Sequence, residues 1–346
     1  MNPMIWTIFI ATLSTSTIIV MSSNHWLLVW LGLELNTLTI LPIIMKPHHP
    51  RATEATTKYF LIQTMASTLI LFASTMNAWQ TGNWTIMTSS STTTNIIILS
   101  AILLKMGVTP AHIWYPDIIQ GSNMLTALTI STWQKLAPLT LLYFLTNHTS
   151  PTALLLTGLL SVMWGGWGGL NQTQTRKILA FSSIAHMGWL LIALTLNLHL
   201  TTLTMLTYLL MTTIMFMTLA ASNVKTLQDF SHAWTHSPTL LTITTLTLLS
   251  LGGLPPLTGF MPKLLILKEL TTTKLIPSAT MLALMSLPSL YFYTRMTYLA
   301  SLTTPPSTPE TKHKWRFKTN PKLNPTLIMP LATMILPMTP LLYTQT

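Results

Sequence analysis

The stretch ILLKMGVTPAHIWYPD, residues 102–117, largely decides the fold of this chain. Its flanks are apolar enough to dissolve in lipid, yet it combines a cation, helix-breaking residues, an imidazole and an acid. Proline removes a backbone donor and clashes with the preceding turn, and glycine lowers helix propensity. The spacing therefore predicts a membrane helix that is interrupted in its interior. The residues that carry this pattern are Lys105, Gly107, Pro110, His112, Pro116 and Asp117.

The same pattern of breaks occurs a second time. Residues 107–116 read GVTPAHIWYP and residues 253–262 read GLPPLTGFMP, and both match G-x-x-P-x5-P. Backbone groups freed by a break must line a polar cavity or pair with neighbouring helices, because lipid cannot satisfy them. We therefore predict two broken helices, near 95–116 and 238–266, that cross in opposite senses as inverted repeats do in ion-coupled transporters. The second set of hinge residues is Gly253, Pro256 and Pro262.

The composition is that of an α-helical membrane protein. Of 346 residues, 49% are hydrophobic and only 7% are charged, and cysteine is absent. Apolar runs of about 20 residues, each long enough to cross a hydrocarbon core of roughly 30 Å, recur along the chain. We predict an all-α, polytopic fold in which residues 1–346 form a single integral membrane domain of about eleven transmembrane helices. The predicted spans are 4–21, 26–45, 59–79, 95–116, 123–146, 152–170, 178–196, 200–222, 238–266, 275–300 and 324–343.

The chain has 17 basic and 6 acidic side chains. We interpret this basic excess as a sign of membrane topology rather than of nucleic-acid binding, because the charges are sparse and lie mostly in loops. Basic residues fall in alternate loops, such as 46–58 and 312–322, whereas the opposite loop 80–95 has none. The positive-inside rule predicts an inner-side N-terminus, an outer-side C-terminus and an inner-side loop at 301–323. The basic run in that loop is expected to be solvated, with lipid headgroups or a partner protein as the alternative.

Four ionisable residues fall deep in predicted spans: Glu34, Lys105, Lys135 and Lys263. A charge at the bilayer centre costs about 2.5–3.5 kcal/mol on the insertion scale, so such residues face the interior of a helix bundle. Burial disfavours the charged form of an amine and a nearby carboxylate favours it, so movement of the acid relative to a lysine can release a proton. We predict a proton pathway, against the alternative of a buried pair that only orients helices. Which lysine pairs with Glu34 is left open by the spacing.

Two histidines are weaker candidates. His112 follows Lys105 by seven residues, and His186 is central in the apolar run ILAFSSIAHMGWLLIALTL. An imidazole titrates near neutral pH and can relay protons. A single histidine in a span also serves as a hydrogen-bonded packing residue, so relay and packing remain open for both.

Several longer motifs carry a family resemblance. SSNHW (22–26), GLELN (32–36), PRATEATTKYFL (50–61), GGLNQTQTRKILAFSSIAHMGW (168–189) and LSLGGLPPLTGFMPK (249–263) resemble the antiporter-like membrane subunits of respiratory complex I, in the form found in vertebrate mitochondria. The resemblance extends over the whole chain. It implies an antiporter-like fold that lacks the first three helices of the bacterial subunits, consistent with eleven spans.

The resemblance also implies a function. It implies a non-redox, proton-translocating subunit of NADH:ubiquinone oxidoreductase in the mitochondrial inner membrane, with the N-terminus in the matrix and the C-terminus in the intermembrane space. Glu34 is implied to pair with Lys105, and Lys135 to lead to Lys263 as the terminal relay residue. NADH, FMN, iron–sulfur clusters and ubiquinone are implied to bind other subunits, leaving this chain without a cofactor or metal. The implied partners are other membrane-arm subunits and phospholipid, with no nucleic acid.

Two other functional classes fit parts of the sequence. A free-standing cation/proton antiporter of the same fold accounts for the buried charges equally well. A haem-carrying electron-transfer protein would need histidine pairs, but His186 and His199 make one such pair, and His199 lies near a span end. The sequence thus favours the hypothesis of a complex I subunit, and a free-standing antiporter is the second hypothesis.

Overall fold

The structure is a computed structural model that describes residues 3–88, 91–302 and 329–330. Its regular elements in those ranges are fourteen α-helices and one 3₁₀ turn, which confirms the all-α prediction. Within those ranges six helices are long and apolar enough to cross a membrane, and two shorter ones are apolar. The count of eleven spans stays a prediction. The predicted span 324–343 and loop 301–323 lie outside the described residues, apart from 301–302 and 329–330.

The chain divides into two compact units, Met1–Thr157 and a second that begins at Gly158. In the first unit α1 packs on α2, α2 on α3, and α3 on both α4 and α5. The helices of the first unit are α1 (Pro3–Ser22), α2 (Trp26–Met45), α3 (Pro50–Thr81), α4 (Thr92–Met106), α5 (Trp114–Gly121), α6 (Met124–Ser131) and α7 (Leu136–Phe144), and α8 (Pro151–Leu170) begins in it.

In the second unit α10 packs on α9 and α12, and α14 packs on α11, α12 and α13. Its helices after α8 are α9 (Thr175–Leu196), α10 (Leu198–Ser222), α11 (Leu227–His236), α12 (Pro238–Gly252), α13 (Phe260–Thr272) and α14 (Ile276–Leu302). The helix α11 was not predicted. Its start is a capping box in which Asp229 accepts from the Thr226 amide, a local signal that the apolar-run criterion ignores.

The first break lies between α4 and α5. Gly107 caps α4 with φ +68°, and its amide donates to the carbonyls of Leu103 and Leu104. A Cβ at Gly107 would lie 3.2 Å from atoms of Trp114 and Tyr115, which fold back over the break. Glycine is required here because other residues avoid a positive φ.

The second break, between α12 and α13, uses the same cap. Gly253 has φ +83°, and its amide donates to the carbonyls of Leu249 and Ser250. Pro116 and Pro262, both predicted as hinges, instead lie in the first turns of α5 and α13. Proline is tolerated there, because first-turn amides have no intrahelical acceptor. The opposite senses of the two broken helices stay a prediction.

A third interruption was not predicted. The span expected at 123–146 consists of α6, the 3₁₀ turn Trp133–Lys135 and α7. Pro138 explains it: a continuous helix would need its missing amide to donate to the carbonyl of Gln134, and its ring would clash there. A 3₁₀ segment inside a helix often marks a functional position, and this one presents Lys135.

Candidate functional site

A small buried cavity in the first unit brings two of the predicted lysines together. It has about 10 Å³ of space for the centre of a water molecule, enough for about one water. Side chains from α2, α3, α4, α5, α6, the 3₁₀ turn and α7 surround it. They are Leu33, Asn36, Thr37, Tyr59, Gln63, Lys105, Met106, Trp114, Tyr115, Ile130, Gln134, Lys135 and Pro138.

Lys105 reaches this cavity from the last turn of α4. Its side chain is 6% exposed, and its Nζ has no hydrogen-bond partner among the described residues. Its own carbonyl accepts a hydrogen bond of 3.4 Å from Gln63 Nε2. The C-terminal end of a helix favours a cation, but an unpartnered buried charge is costly unless water solvates it or the proton leaves. The position thus suits a group that exchanges a proton.

Lys135 enters the same cavity from the 3₁₀ turn. It is 3% exposed, and its Nζ lies 4.6 Å from the centroid of the Tyr115 ring. A cation over an aromatic face is stabilised by the ring quadrupole, more strongly where water is excluded. Tyr115 lies in the first turn of α5, directly after the first break, so the chain at this break places the aromatic ring over which Lys135 lies.

Glu34 lies on α2 and is half-buried. Its Oε1 accepts from Ser67 Oγ at 3.2 Å, and its Oε2 accepts from Thr37 Oγ1 at 3.1 Å. Thr37 lines the cavity, so the carboxylate is one hydrogen bond away from it. The structure has no direct hydrogen bond between Glu34 and Lys105. Their pairing stays a prediction.

A buried amide network was missed by the sequence reasoning. Gln134 Nε2 donates to Asn36 Oδ1 at 3.0 Å, and the Tyr59 hydroxyl donates to Gln134 Oε1 at 3.4 Å. These side chains join α2, α3 and the 3₁₀ turn around the cavity. The available signal was the presence of amides inside otherwise apolar spans, at Asn36, Gln63 and Gln134.

Lys263 lies in the second unit, near the start of α13. Its Nζ donates to the carbonyl of Gly252, the last residue of α12, at 2.9 Å, and lies 5.9 Å from the Trp189 ring centroid. A Cβ at Gly253 would come within 2.9 Å of the same Nζ. The lysine therefore crosses the second break and binds a carbonyl at the end of a half-helix, where the helix dipole favours a cation.

Neither histidine lines the cavity. His112 lies in the first break, half-buried, with Nδ1 3.3 Å from the carbonyl oxygen of Pro110. His186 is half-buried on α9, with its ring 5.7 Å from that of Tyr208. It shares a helix face with Trp189, three residues on, which faces Lys263. The choice between relay and packing stays open for both.

The described part of the chain holds no group of three or more histidine, cysteine, aspartate or glutamate side chains arranged to bind a metal ion. The chemistry that the two lysine sites offer is the binding, holding and release of protons by amines.

Two family models match the chain. The model described as "NADH:quinone oxidoreductase/Mrp antiporter, TM" matches residues 23–291, and that described as "NADH dehydrogenase subunit 2 C-terminus" matches residues 290–343. Together they cover both lysine sites and residues 303–343 of the C-terminal segment.

Curated relatives match over the full length. The chain is 49% identical to NADH-ubiquinone oxidoreductase chain 2 of Carassius auratus, covering 100% of both chains. It is also 49% identical to the protein of that name from Gallus gallus, again covering 100% of both.

Solved structures share the fold. A chain of respiratory complex I from Thermus thermophilus with bound aureothin superposes with a TM-score of 0.80 at 25% identity, covering 95% of this chain and 78% of that one. A chain of the Mrp complex from Dietzia sp. DQ12-45-1b gives a TM-score of 0.81 at 15% identity, covering 97% and 75%. The second likeness is one of fold.

Proposed function

The chain belongs to the family of NADH-ubiquinone oxidoreductase chain 2, and from that premise we propose that it translocates protons as a membrane-arm subunit of respiratory complex I. Relatives named NADH-ubiquinone oxidoreductase chain 2 match the full length. The six long apolar helices support a multi-pass membrane protein. The site of action is the mitochondrial inner membrane, with the N-terminus in the matrix and the C-terminus in the intermembrane space. The charged loops support that orientation by the positive-inside rule.

One observation carries the proposal: two almost fully buried lysines, Lys105 and Lys135, line the same small cavity. Two amines that face one water-sized space repel one another when both are charged. The cavity therefore favours a state in which only one of the two lysines is protonated to its charged form. Each buried charge also costs about 2.5–3.5 kcal/mol by membrane-insertion scales. A role in packing alone would be met at lower cost by apolar side chains.

The proposed mechanism is a charge relay. The carboxylate of Glu34, held by Ser67 and Thr37, stabilises a proton on Lys105 through its negative charge. When a signal from quinone reduction in other subunits moves or neutralises Glu34, the proton on Lys105 becomes less stable and passes through cavity water to Lys135. The Tyr115 ring stabilises the ammonium that forms there.

Lys263 is the terminal group of the proposed relay. In the second unit its ammonium binds the Gly252 carbonyl, and its release from that carbonyl would accompany proton loss toward the intermembrane space. His112 and His186 remain possible additional relay groups.

The chain takes part in an NADH:ubiquinone oxidoreductase without performing redox chemistry itself. NADH, FMN, iron–sulfur clusters and ubiquinone are proposed to bind other subunits, and electron flow there drives the relay by conformational and electrostatic coupling. The proposed partners are neighbouring antiporter-like chains of the membrane arm and phospholipid.

The test replaces Lys105 with Met in the assembled complex and measures protons pumped per NADH oxidised in proteoliposomes. The expected result is a lower ratio, because methionine keeps the volume and removes the proton carrier. Lys46→Met is the matched control, since Lys46 is exposed and stacks on Trp6 at 4.1 Å, away from the cavity. An unchanged ratio in Lys105→Met, Lys135→Met and Lys263→Met would refute the relay.

A free-standing cation/proton antiporter is the second candidate, and the match to the family model described as "NADH:quinone oxidoreductase/Mrp antiporter, TM" supports it. The two candidates differ in what the isolated chain does. We expect the purified chain in liposomes to exchange no cation for protons, whereas an antiporter would do so alone.

A further inference from the structure

A second, open cavity lies beside the buried one in the first unit. It is a polar cleft of about 260 Å³ between the first turns of α3 and the helix α5. Its walls carry charges of both signs. The cleft is lined by Arg51, Glu54, Ala55, Lys58, Asp117, Gln120 and Gly121.

The cleft and the buried cavity share their walls. On α3, Lys58 lines the cleft and the adjacent Tyr59 lines the cavity; on α5, Asp117 lines the cleft and Tyr115 lines the cavity. The Tyr59 ring meets Trp114 edge-on at 6.1 Å. The aromatic side chains of Tyr59, Trp114 and Tyr115 thus line the buried cavity on the same two helices, α3 and α5, that form the cleft.

The cleft lies at the charged end of α3. The helix α3 has 32 residues, about 48 Å at 1.5 Å per residue, which exceeds a hydrocarbon core of roughly 30 Å. Its charged residues Arg51, Glu54 and Lys58 fall in the first nine positions, and the apolar run begins after them. These first turns project beyond the hydrocarbon, and the cleft lies between them and α5.

An ion pair ties α5 to α3 at this cleft. Lys58 Nζ lies 3.2 Å from Asp117 Oδ2 and 2.8 Å from Glu54 Oε1, and the side chains of Lys58 and Asp117 are 42% and 41% exposed. Only the contact with Asp117 joins two helices, because Glu54 is one turn before Lys58 on α3. Exposed ion pairs are weak, so this one can open and close.

We propose that the cleft is the aqueous access to the Lys105–Lys135 cavity and that the Lys58–Asp117 ion pair keeps it shut by holding α5 against α3. The proposal rests on the proposed proton-carrying function of that cavity. Lys58 and Asp117 are positioning residues: when their contact breaks, α5 moves, the aromatic layer of Tyr59, Trp114 and Tyr115 loosens, and water joins the two spaces.

The test measures access to the buried amines directly. The assembled complex is treated with formaldehyde and cyanoborohydride, which methylate accessible amines, and the peptides carrying Lys105 and Lys135 are quantified by mass spectrometry. Asp117→Asn and Lys58→Met are expected to raise methylation of both lysines by up to about fivefold, the factor that an exposed ion pair of ordinary strength supplies. The exchange Lys58→Asp with Asp117→Lys is expected to restore the low level.

The matched control is Glu54→Gln, which removes the other ion pair of Lys58 but leaves the tie between helices, and it should label as the wild type does. Equal labelling of Asp117→Asn, Lys58→Met and Glu54→Gln would overturn the proposal. Pumping by Lys105→Met in the same preparation separates the two hypotheses. A wild-type pumping ratio in Lys105→Met refutes the proton-carrying function. A lowered ratio in Lys105→Met, together with wild-type labelling in Asp117→Asn and Lys58→Met, refutes the access route alone.

Discussion

Replacing Gly253 with Ala should displace Lys263 while leaving the fold intact. The new Cβ would lie 2.9, 3.1 and 3.3 Å from Nζ, Cδ and Cε of Lys263. These atoms form the flexible end of a side chain, so the lysine can move away without disturbing the backbone. Moving it breaks the hydrogen bond of 2.9 Å from Nζ to the Gly252 carbonyl.

Two terms set the size of this effect. A residue other than glycine in the left-handed region, where Gly253 has φ +83°, costs about 1–2 kcal/mol. Loss of a hydrogen bond to a charged group costs about 1.5–3 kcal/mol more. The loss of the hydrogen bond affects Lys263 alone. It corresponds to roughly a 10- to 100-fold lower occupancy of the position in which Nζ binds the Gly252 carbonyl.

Gly82→Ala is the control that isolates the first term. Gly82 caps α3 with φ +70°, and a Cβ there meets nothing within 4 Å, so this variant suffers only the backbone cost. The assay is the number of protons pumped per NADH oxidised by equal amounts of assembled complex. We expect the ratio to fall in Gly253→Ala and to stay at the wild-type value in Gly82→Ala. A wild-type ratio in Gly253→Ala would refute the role given to the bound position of Lys263.

Three further outcomes are expected. Gln134→Leu should destabilise the assembled complex by about 1–3 kcal/mol, seen as a lower melting temperature, because it leaves the buried Asn36 Oδ1 without its donor and the Tyr59 hydroxyl without its acceptor. Adding Asn36→Leu should recover the part of the loss that comes from Asn36. Pro138→Ala should lower pumping without impairing assembly, because a restored amide lets the helix run on and moves Lys135; a normal ratio would contradict the importance of the 3₁₀ turn. Glu34→Gln should lower pumping while keeping assembly, since the amide still accepts hydrogen bonds but carries no charge; retained pumping would show that the charge is dispensable.

Local sequence signals were sufficient for the outline of the fold. Apolar runs predicted the long helices, and Gly107 and Gly253 predicted the ends of α4 and α12, because glycine tolerates the positive φ that such an end requires. The burial of Lys105 and Lys135 also followed from their depth in apolar sequence. Those inferences depend on properties of single residues and of short segments.

What the sequence could not provide depends on contacts between distant segments. The resting of Lys135 on Tyr115 and the bond of Gln134 to Asn36 need the packing of helices that are far apart in the chain. The role of Pro138 was missed for a different reason. Pro138 lacks the amide that would donate to the carbonyl of Gln134, and Gln134 belongs to the 3₁₀ turn that holds Lys135. The prediction of a continuous span did not consider which carbonyl loses its donor. The sequence shows Asp117 only as an acid that follows the second proline of the break, and the fold shows its pairing with Lys58.

The most direct measurement of the central claim is a double-mutant comparison of the two lysines that share the buried cavity. Protons pumped per NADH oxidised are measured for Lys105→Met, Lys135→Met and the double variant in assembled complexes of equal electron-transfer content. If both amines lie on one proton path, the double variant loses no more than the more severe single variant, because a path already cut cannot be cut again. Independent losses that add in the double variant, or a wild-type ratio in either single variant, would contradict the shared path.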